Sequence, residues 1–171
     1  MIVYHGTSKR NFEQILKDRK IKKDCEKEYE DTENGYVYLA TNVIVAYYYG
    51  NIISIQGDTK DKRGDVYILK INIDKNKLKA DLDEQRVVFG NKEMGEFTVD
   101  NSINLLKTVR IDLDIPFDKY DIEYTKIPNT YDASPKEREF LQKMCNAQRQ
   151  KSLMTEELIK EAEEKYEWIK L

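Results

Sequence analysis

The chain has 171 residues, enough for one domain whose hydrophobic core needs neither disulfides nor a metal to stabilise it. It contains 29 Lys and Arg against 32 Asp and Glu, so its net charge of -3 argues against a strong nonspecific hold on nucleic acid. No apolar run is long enough to cross a bilayer, and the start MIVYHGTSKR lacks the basic and apolar regions of a signal peptide, which together predict a cytoplasmic protein without membrane contacts.

The N-terminal part of the chain predicts alternating strands and helices. IVY is β-branched and aromatic, which favours a short strand ending at His5. In SKRNFEQILKDRK, Ser8 is placed to cap a helix whose apolar residues repeat at helical spacing. GYVYLATN favours a second strand, and Thr41 or Asn42 is placed to cap a short helix, NVIVAYYYG, that Gly50 would end.

The middle of the chain predicts more sheet. NIISIQ and DVYILKINI are rich in β-formers and predict a strand pair around the turn GDTKDKRG. EFTV and LLKTVRIDLDI predict two further strands separated by the polar turn DNSIN, and DIEYTKI predicts another. Strands therefore dominate residues 1–127.

After Pro128 the composition changes to helix. ASPKERE places Ser134 as a cap, Pro135 at the first helical position and Glu137 at the third, which is a capping-box pattern. Two apolar stripes then predict a helical hairpin on either side of Thr155, formed by Phe140, Leu141, Met144 and Cys145, and by Leu158, Ile159, Ala162, Tyr166 and Ile169. We expect an α+β fold with a core over 1–127 and a helical extension over 128–171 packed on the same domain. The extension either covers the sheet or docks a partner.

Three short motifs fall in order along this pattern: YHGTS after the first strand, GYVYLATNVIVAYYYG across a strand and a helix, and GEFTV near residue 96. Each motif alone is more typical of structural residues than of catalytic ones, although His5 is the only histidine in the chain. Together they resemble the histidine, tyrosine and glutamate motifs of the ADP-ribosyltransferase superfamily, in the branch of diphtheria toxin and the poly(ADP-ribose) polymerases. The resemblance covers residues 2–115 and implies that family's split antiparallel sheet.

The resemblance implies roles for the residues of the first and third motifs. His5 would contact a ribose hydroxyl of NAD+, and the backbone at Gly6 and Thr7 would hold the nicotinamide amide. Glu96 would be the catalytic glutamate. We prefer Glu96 to Glu93 because it directly precedes the FTV run, and a strand there would hold it rigidly.

The second motif would supply two aromatic walls around nicotinamide. Tyr38 would be one wall, and a tyrosine of the following helix would be the other. Toxin-like spacing from Tyr38 reaches Tyr49, whereas alignment of Ala46 with the polymerase-like pattern reaches Tyr48, so both remain candidates. Nicotinamide is a flat cation in NAD+, and tyrosine faces bind such a ring by stacking and cation–π attraction, each contributing about 1 kcal/mol.

The implied chemistry is transfer of one ADP-ribose unit from NAD+, a co-substrate, to a macromolecular acceptor. Loss of nicotinamide leaves positive charge on the ribose, which the Glu96 carboxylate would stabilise. His5 would position the sugar, because a neutral imidazole both donates and accepts hydrogen bonds. His5, Tyr38 and Glu96 are therefore the expected catalytic residues. The chain has no room for the regulatory helical domain of the chain-building polymerases.

The sequence says less about the acceptor of ADP-ribose and about the biological setting of the protein. Arginine is disfavoured as acceptor because Met94 stands where arginine-modifying relatives carry a second glutamate, and the acidic balance slightly favours protein over nucleic acid. Small size and the lack of a targeting sequence favour a bacterial or phage toxin or effector, with an antitoxin or regulator as a further candidate partner. Cys25 and Cys145 lie far apart with no CxxC pair, so we expect neither a disulfide nor a metal site.

Three alternatives stay open. RNA 2′-phosphotransferases share the fold and an HGT-like start, but they hold a 2′-phosphate with arginines, of which the sequence has none near YLAT, and they normally carry an additional N-terminal domain. NAD+ hydrolysis, with water as the acceptor, would use the same residues. In the third alternative the fold is a non-catalytic interaction module that binds through the helical hairpin. Degenerate relatives of that kind usually lose the histidine or the glutamate, and this chain has both.

Overall fold

A computed structural model describes residues 1–23, 32–56, 64–90 and 96–171. The strands of these residues are β1 Ile2–Ser8, β2 Lys20–Ile21, β3 Val37–Ala40, β4 Val66–Asn72, β5 Thr108–Ile111, β6 Ile115–Pro116, β7 Ile122–Ile127 and β8 Ile169–Lys170. The helices are α1 Lys9–Asp18, α2 Val43–Ile55, α3 Leu82–Phe89, α4 Val99–Asn101, α5 Pro135–Arg149 and α6 Glu156–Glu164. Shorter turns of 3-10 or π-helix are Lys75–Lys77, Ser102–Leu106 and Lys151–Leu153.

The strands form a six-stranded sheet in the order β5-β3-β1-β4-β7-β8, and β2 pairs with β6 in a separate ribbon. Every strand pairing in the described residues is antiparallel. The architecture is therefore mixed, with an antiparallel sheet and separate helices, as an α+β class requires. None of the helices in the described ranges is both long and apolar enough to span a bilayer.

Both faces of the sheet are covered. On one face, α2 packs on strand residues such as Tyr4 and Ile68, and α5 and α6 pack on α2 within the same apolar cluster. On the other face, α1 and the β2–β6 ribbon cover Val3 and Leu69. Because successive side chains of a strand point to opposite faces, β1 contributes to both clusters.

The two neighbours of β1 are paired to very different extents. β4 pairs with β1 along the whole strand, from Ile2 opposite Asn72 to Ser8 opposite Val66. β3 pairs with β1 at one position, where Tyr4 lies opposite Ala40. The sheet therefore opens between β1 and β3 on the His5 side of that pair.

The predicted helix caps are confirmed. The Ser8 side chain accepts a hydrogen bond from an amide of the first turn of α1, Asn42 rather than Thr41 does so for α2, and Ser134 does so for α5. Pro135 occupies the start of α5, as the sequence predicts. Such caps satisfy amides that have no partner within the helix.

The prediction that NIISIQ forms a strand is wrong, and so is the prediction that Gly50 ends α2. The helix continues to Ile55, with Gly50 buried in its interior. A Cβ on Gly50 would lie 3.0 Å from the Thr7 amide nitrogen, so this glycine lets the helix approach β1 closely. Burial of an almost wholly apolar helix against the sheet overrides the strand preference of its isoleucines.

The strand predictions for EFTV and for most of LLKTVRIDLDI are also wrong. Residues 96–98 are irregular, and Thr98 caps α4. Ser102–Leu106 forms a π-helical turn that ends at Lys107, whose φ is 64°. Only Thr108–Ile111 pairs as β5, because helical capping and a left-handed residue end the helix just before the strand begins.

The two C-terminal helices are present, but Ile169 does not continue the second stripe. α6 ends at Glu164, and the Trp168 indole donates a hydrogen bond to the Glu163 carbonyl at 3.0 Å. The chain then places Ile169 in β8, opposite Tyr124 of β7. The predicted turn GDTKDKRG, apart from its last residue, and the residues Cys25, Glu93 and Met94 lie outside the described residues.

Candidate functional site

His5 lies where the sheet opens between β1 and β3. Its Nδ1 is 3.0 Å from the carbonyl oxygen of Tyr38. A carbonyl only accepts, so Nδ1 carries the proton and Nε2 keeps a free lone pair. Burial lowers the pKa of the His5 imidazole below 6.5, and the bond to the Tyr38 carbonyl offsets part of this effect. The ring is therefore neutral at pH 7, with Nε2 as a hydrogen-bond acceptor.

Gly6 brings α2 against the strand that carries His5. A Cβ on Gly6 would lie 1.8 Å from the carbonyl oxygen of Ala46, which is a backbone atom of α2. Only a glycine allows this approach. The next residue, Thr7, is 2% exposed. The first motif therefore has a packing role in addition to any binding role.

Tyr38 is anchored at its hydroxyl. The hydroxyl donates to the Asp83 carboxylate, and the Glu33 amide donates to the hydroxyl oxygen at 2.9 Å. Burial raises the pKa of Tyr38, and the neighbouring Asp83 raises it further. The phenol is therefore neutral, and two hydrogen bonds fix the orientation of its ring.

Two arginines lie beside Tyr38. Arg110 is its partner on β5 and is 4% exposed, with Nη1 3.0 Å from Glu33 and 3.4 Å from Asp83. Arg86 pairs with the same two carboxylates. Two guanidinium groups thus face two carboxylates, so the cluster has no net charge. Arg110 also stacks on Tyr36, with Cζ 3.9 Å from the ring centroid.

The structure separates the two tyrosines that the second motif left open. The Tyr49 hydroxyl is hydrogen-bonded to the Glu84 carboxylate, and burial raises the pKa of Tyr49. Tyr48 lines a groove of about 410 Å³ between α2 and α5, where Arg149 Cζ is 5.8 Å from its ring centroid. Tyr49 therefore contacts α3, the helix that also anchors Tyr38, whereas Tyr48 faces the C-terminal extension.

Helix α3 contacts both Tyr38 and Tyr49 because its start is fixed to β5. The amide and carbonyl of Lys79 exchange hydrogen bonds with those of Arg110, at 2.7 and 3.0 Å. Two residues on, the Asp81 amide donates to Ser102 Oγ at 2.9 Å, and that hydroxyl donates to the Thr108 carbonyl at 2.7 Å. The first turn of α3 is thereby held against the end of β3 and the middle of α2.

Glu84 of α3 and Lys151, which follows α5, are partly buried groups of opposite charge that attract each other. Burial raises the pKa of Glu84, while its bond with Tyr49 and the nearby Lys151 oppose that rise. Burial lowers the pKa of Lys151 to about 8, and attraction by Glu84 opposes the fall. The Lys151 ammonium also donates to the Leu106 carbonyl at 3.3 Å.

Glu96 lies outside any strand and is exposed. The adjacent Phe97 contacts Phe89, the last residue of α3, with ring centroids 6.4 Å apart. Glu84 lies five residues before Phe89, which is about 7.5 Å along a helix axis. The structure thus joins His5 to Tyr38 at the opening of the sheet and places Gly6 against α2. It connects Tyr38 and Tyr49 through α3 and places Glu96 beside the far end of that helix.

The residues that sequence reasoning missed are Asp83, Glu84 and Arg110. A signal for α3 exists in KADLDEQRV, because Asp81 followed three residues later by Glu84 is a capping-box pattern. That pattern predicts a helix start and not a site. The position of Arg110 opposite Tyr38 depends on sheet order, which no local pattern encodes.

Comparison of the chain with protein-family models, with curated proteins and with solved structures found no significant match in any of the three. Among the residues that the structure describes, no group of three or more histidine, cysteine or carboxylate side chains converges as a metal site would. The case for function therefore rests on the motifs and on the geometry.

Proposed function

We propose that the protein is an NAD+-dependent mono-ADP-ribosyltransferase with an ADP-ribosyltransferase-like split sheet. The observation that carries the proposal is the hydrogen bond between His5 and the Tyr38 backbone, which joins two residues 33 positions apart at the opening of the sheet. The resemblance assigns these two residues to one nicotinamide site. The position of β3 between β1 and β5 agrees with that assignment.

Nicotinamide would bind between the rings of Tyr38 and Tyr49. We choose Tyr49 over Tyr48 because Tyr49 reaches the helix that also anchors Tyr38. Two neutral phenol rings held by hydrogen bonds suit a flat cation, since stacking and cation–π attraction need fixed faces more than charge. The amide of nicotinamide would bind the backbone at Gly6 and Thr7.

His5 would accept a hydrogen bond at Nε2 from a ribose hydroxyl, because Nδ1 is already bonded to Tyr38. Fixing the sugar in this way aligns the anomeric carbon with the incoming acceptor. The bond from that carbon to nicotinamide then breaks, and its electron pair leaves with neutral nicotinamide. An oxygen or nitrogen of the acceptor forms the new bond and loses its proton to solvent. A carboxylate stabilises the ribose cation between these events.

The RNA 2′-phosphotransferase alternative is weakened because the arginines near Tyr38 are already paired with carboxylates, and not because arginines are far away. Arg110 and Arg86 lie beside Tyr38, so the absence of arginines near YLAT in sequence is no argument in three dimensions. Both guanidinium groups are neutralised by Glu33 and Asp83. A 2′-phosphate would have to displace these carboxylates. A bacterial or phage effector that modifies a protein or a nucleic acid fits the proposal better.

The test is incubation of the purified protein with NAD+ labelled in its adenylate phosphate and with a cell extract. Label should appear in macromolecules, and digestion with protease or nuclease should identify the acceptor class. His5→Ala should remove the label, and exposed Lys160→Ala serves as the control. Release of free ADP-ribose without labelled macromolecules would support NAD+ hydrolysis. Neither labelling nor nicotinamide release would contradict the proposal and favour a binding module.

A further inference from the structure

The proposed reaction needs one carboxylate held firmly beside the nicotinamide ribose, because preorganised charge costs no rearrangement at the moment of reaction. The resemblance assigns this role to Glu96, on the expectation that a strand would hold it. That strand is absent, and Glu96 is an exposed residue of an irregular segment. The first turn of α3, by contrast, meets both Tyr38 and Tyr49.

Two of the three carboxylates in this turn are already engaged. Asp81 is 4% exposed and caps α3 by accepting a hydrogen bond from the Glu84 amide at 3.1 Å. Asp83 is 3% exposed, accepts from Tyr38 and is shared between Arg110 and Arg86. Neither carboxylate has room to meet a substrate without breaking a helix cap or a buried ion pair.

Glu84 differs from both. It stands at the capping-box position, where a glutamate usually reaches back to the amide of the cap residue. Here the Asp81 amide is bonded to Ser102 Oγ instead, at 2.9 Å. The Glu84 carboxylate is thereby free of the helix start and is bonded to Tyr49, while the residue remains partly exposed.

The groups around Glu84 act on its pKa in both directions. Burial and the nearby Asp81 carboxylate raise the pKa of Glu84, whereas the hydrogen bond from the Tyr49 hydroxyl and the positive charge of Lys151 favour the carboxylate. Tyr49 is one of the two tyrosines that the second motif offers for the nicotinamide wall, and it is the one that reaches α3. A carboxylate that accepts from the Tyr49 hydroxyl lies at the edge of the Tyr49 ring. It would therefore lie close to a nicotinamide stacked on that ring.

We infer that Glu84, and not Glu96, supplies the catalytic carboxylate, an inference that rests on the proposed NAD+ chemistry. As a carboxylate, Glu84 accepts a hydrogen bond from the ribose 2′-hydroxyl. As the bond to nicotinamide breaks, its electron pair leaves with nicotinamide, and the negative charge of Glu84 stabilises the ribose cation until the acceptor attacks. Tyr49 keeps the carboxylate oriented through its hydroxyl.

The inference is tested with three glutamine variants: Glu84→Gln, Glu96→Gln and, as a matched control on an exposed face of α5, Glu139→Gln. Nicotinamide release is followed in single-turnover experiments, and NAD+ affinity is measured by calorimetry. Glu84→Gln should slow release by about 100-fold or more while the dissociation constant changes less than about threefold, since the charge acts on the transition state. Tyr49→Phe, which keeps the ring, should slow release by a smaller factor.

A loss confined to Glu96→Gln would overturn the inference, as would a Glu84→Gln variant that releases nicotinamide at the wild-type rate. Should Glu84→Gln fail to fold, Glu84→Asp decides, because it keeps the charge and withdraws it by one methylene. Its release rate should fall by about tenfold or more, and an unchanged rate would again overturn the inference. If the wild-type protein releases no nicotinamide, the proposed function itself fails, which is a distinct result.

Discussion

His5 is held by a single bond from Nδ1 to the Tyr38 carbonyl, and this bond decides what its other nitrogen does. The sequence predicts an imidazole that either donates to or accepts from the sugar. The structure leaves only acceptance at Nε2. The difference depends on a strand neighbour 33 residues away, and no pattern around VYHGT encodes it.

His5 should titrate below pH 6.5 as the Nδ1–H tautomer, because burial disfavours its charged form. The unfolded chain then binds a proton before the folded chain does as the pH falls, so this residue makes the free energy of unfolding decrease below about pH 6.5. Nitrogen-15 NMR reports both properties without assignment problems, since the chain has one histidine. His5→Gln should lose this part of the pH dependence. A pKa above 6.5, or an Nε2–H tautomer, would contradict the environment described.

Helix α2 brings residues of the second motif against the strand that carries the first motif. It runs directly over β1 because Gly6 and Gly50 carry no side chains at the contact. This closeness carries Tyr49 toward α3 and leaves Tyr48 on the α5 side. The sequence marks Gly50 as a helix end, since glycine is common there, and the interior role of this residue appears only with the sheet in place.

Gly6→Ala should destabilise the protein by about 3 kcal/mol or more, because its Cβ would lie 1.8 Å from a backbone oxygen of Ala46. Gly50→Ala should cost less, about 1–3 kcal/mol, since its nearest obstacle, at 2.7 Å, is the Val66 side chain and not a backbone atom. Chemical denaturation measures both. A Gly6→Ala variant as stable as the wild type would mean that α2 does not sit on β1 as described.

The mispredicted elements share one cause. NIISI has the composition of a strand but continues α2, a helix with one buried side, and EFTV lies where Thr98 caps a short helix instead. In both segments local β-propensity is outweighed by tertiary burial or by capping. DVYILKINI and DIEYTKI are confirmed as strands because their alternation matches the two covered faces of the sheet.

At the scale of the whole molecule, the C-terminal helices complete the core over α2. Leu141 and Met144 of α5 are fully buried in the cluster that α2 forms with the sheet, and Leu158 of α6 belongs to it. The extension predicted from the change in composition after Pro128 thus covers an apolar helix. It also carries Lys151, whose positive charge attracts Glu84.

Leu141→Ala should destabilise the whole chain by about 2–5 kcal/mol, whereas Leu153→Ala, at a residue 49% exposed, should cost under about 1 kcal/mol. Unfolding should occur in one transition because the helices and the sheet share a core. Fluorescence of Trp168, the only tryptophan, and far-UV circular dichroism should therefore report the same midpoint in urea. Two separated midpoints would show that residues 128–171 unfold independently.

The sequence predicts the α+β class, the caps at Ser8 and Ser134, and the motif residues His5 and Tyr38, which the structure brings into contact. These depend on local patterns and on spacing. The carboxylates of α3, the pairing of Arg110 with Tyr38 and the choice between two adjacent tyrosines depend on which elements become neighbours. That information resides in the assembled sheet and not in any single segment.

The most direct test of the proposed NAD+ site is titration of NAD+ while the single histidine is observed by NMR. Saturable shifts of the His5 resonances are expected, with Nδ1 still protonated, because the substrate would bind at Nε2. Tyr49→Ala should weaken this binding, while Tyr48→Ala should leave it nearly unchanged, since Tyr48 faces the α5 groove. His5 resonances that stay unchanged at millimolar NAD+ would contradict the account.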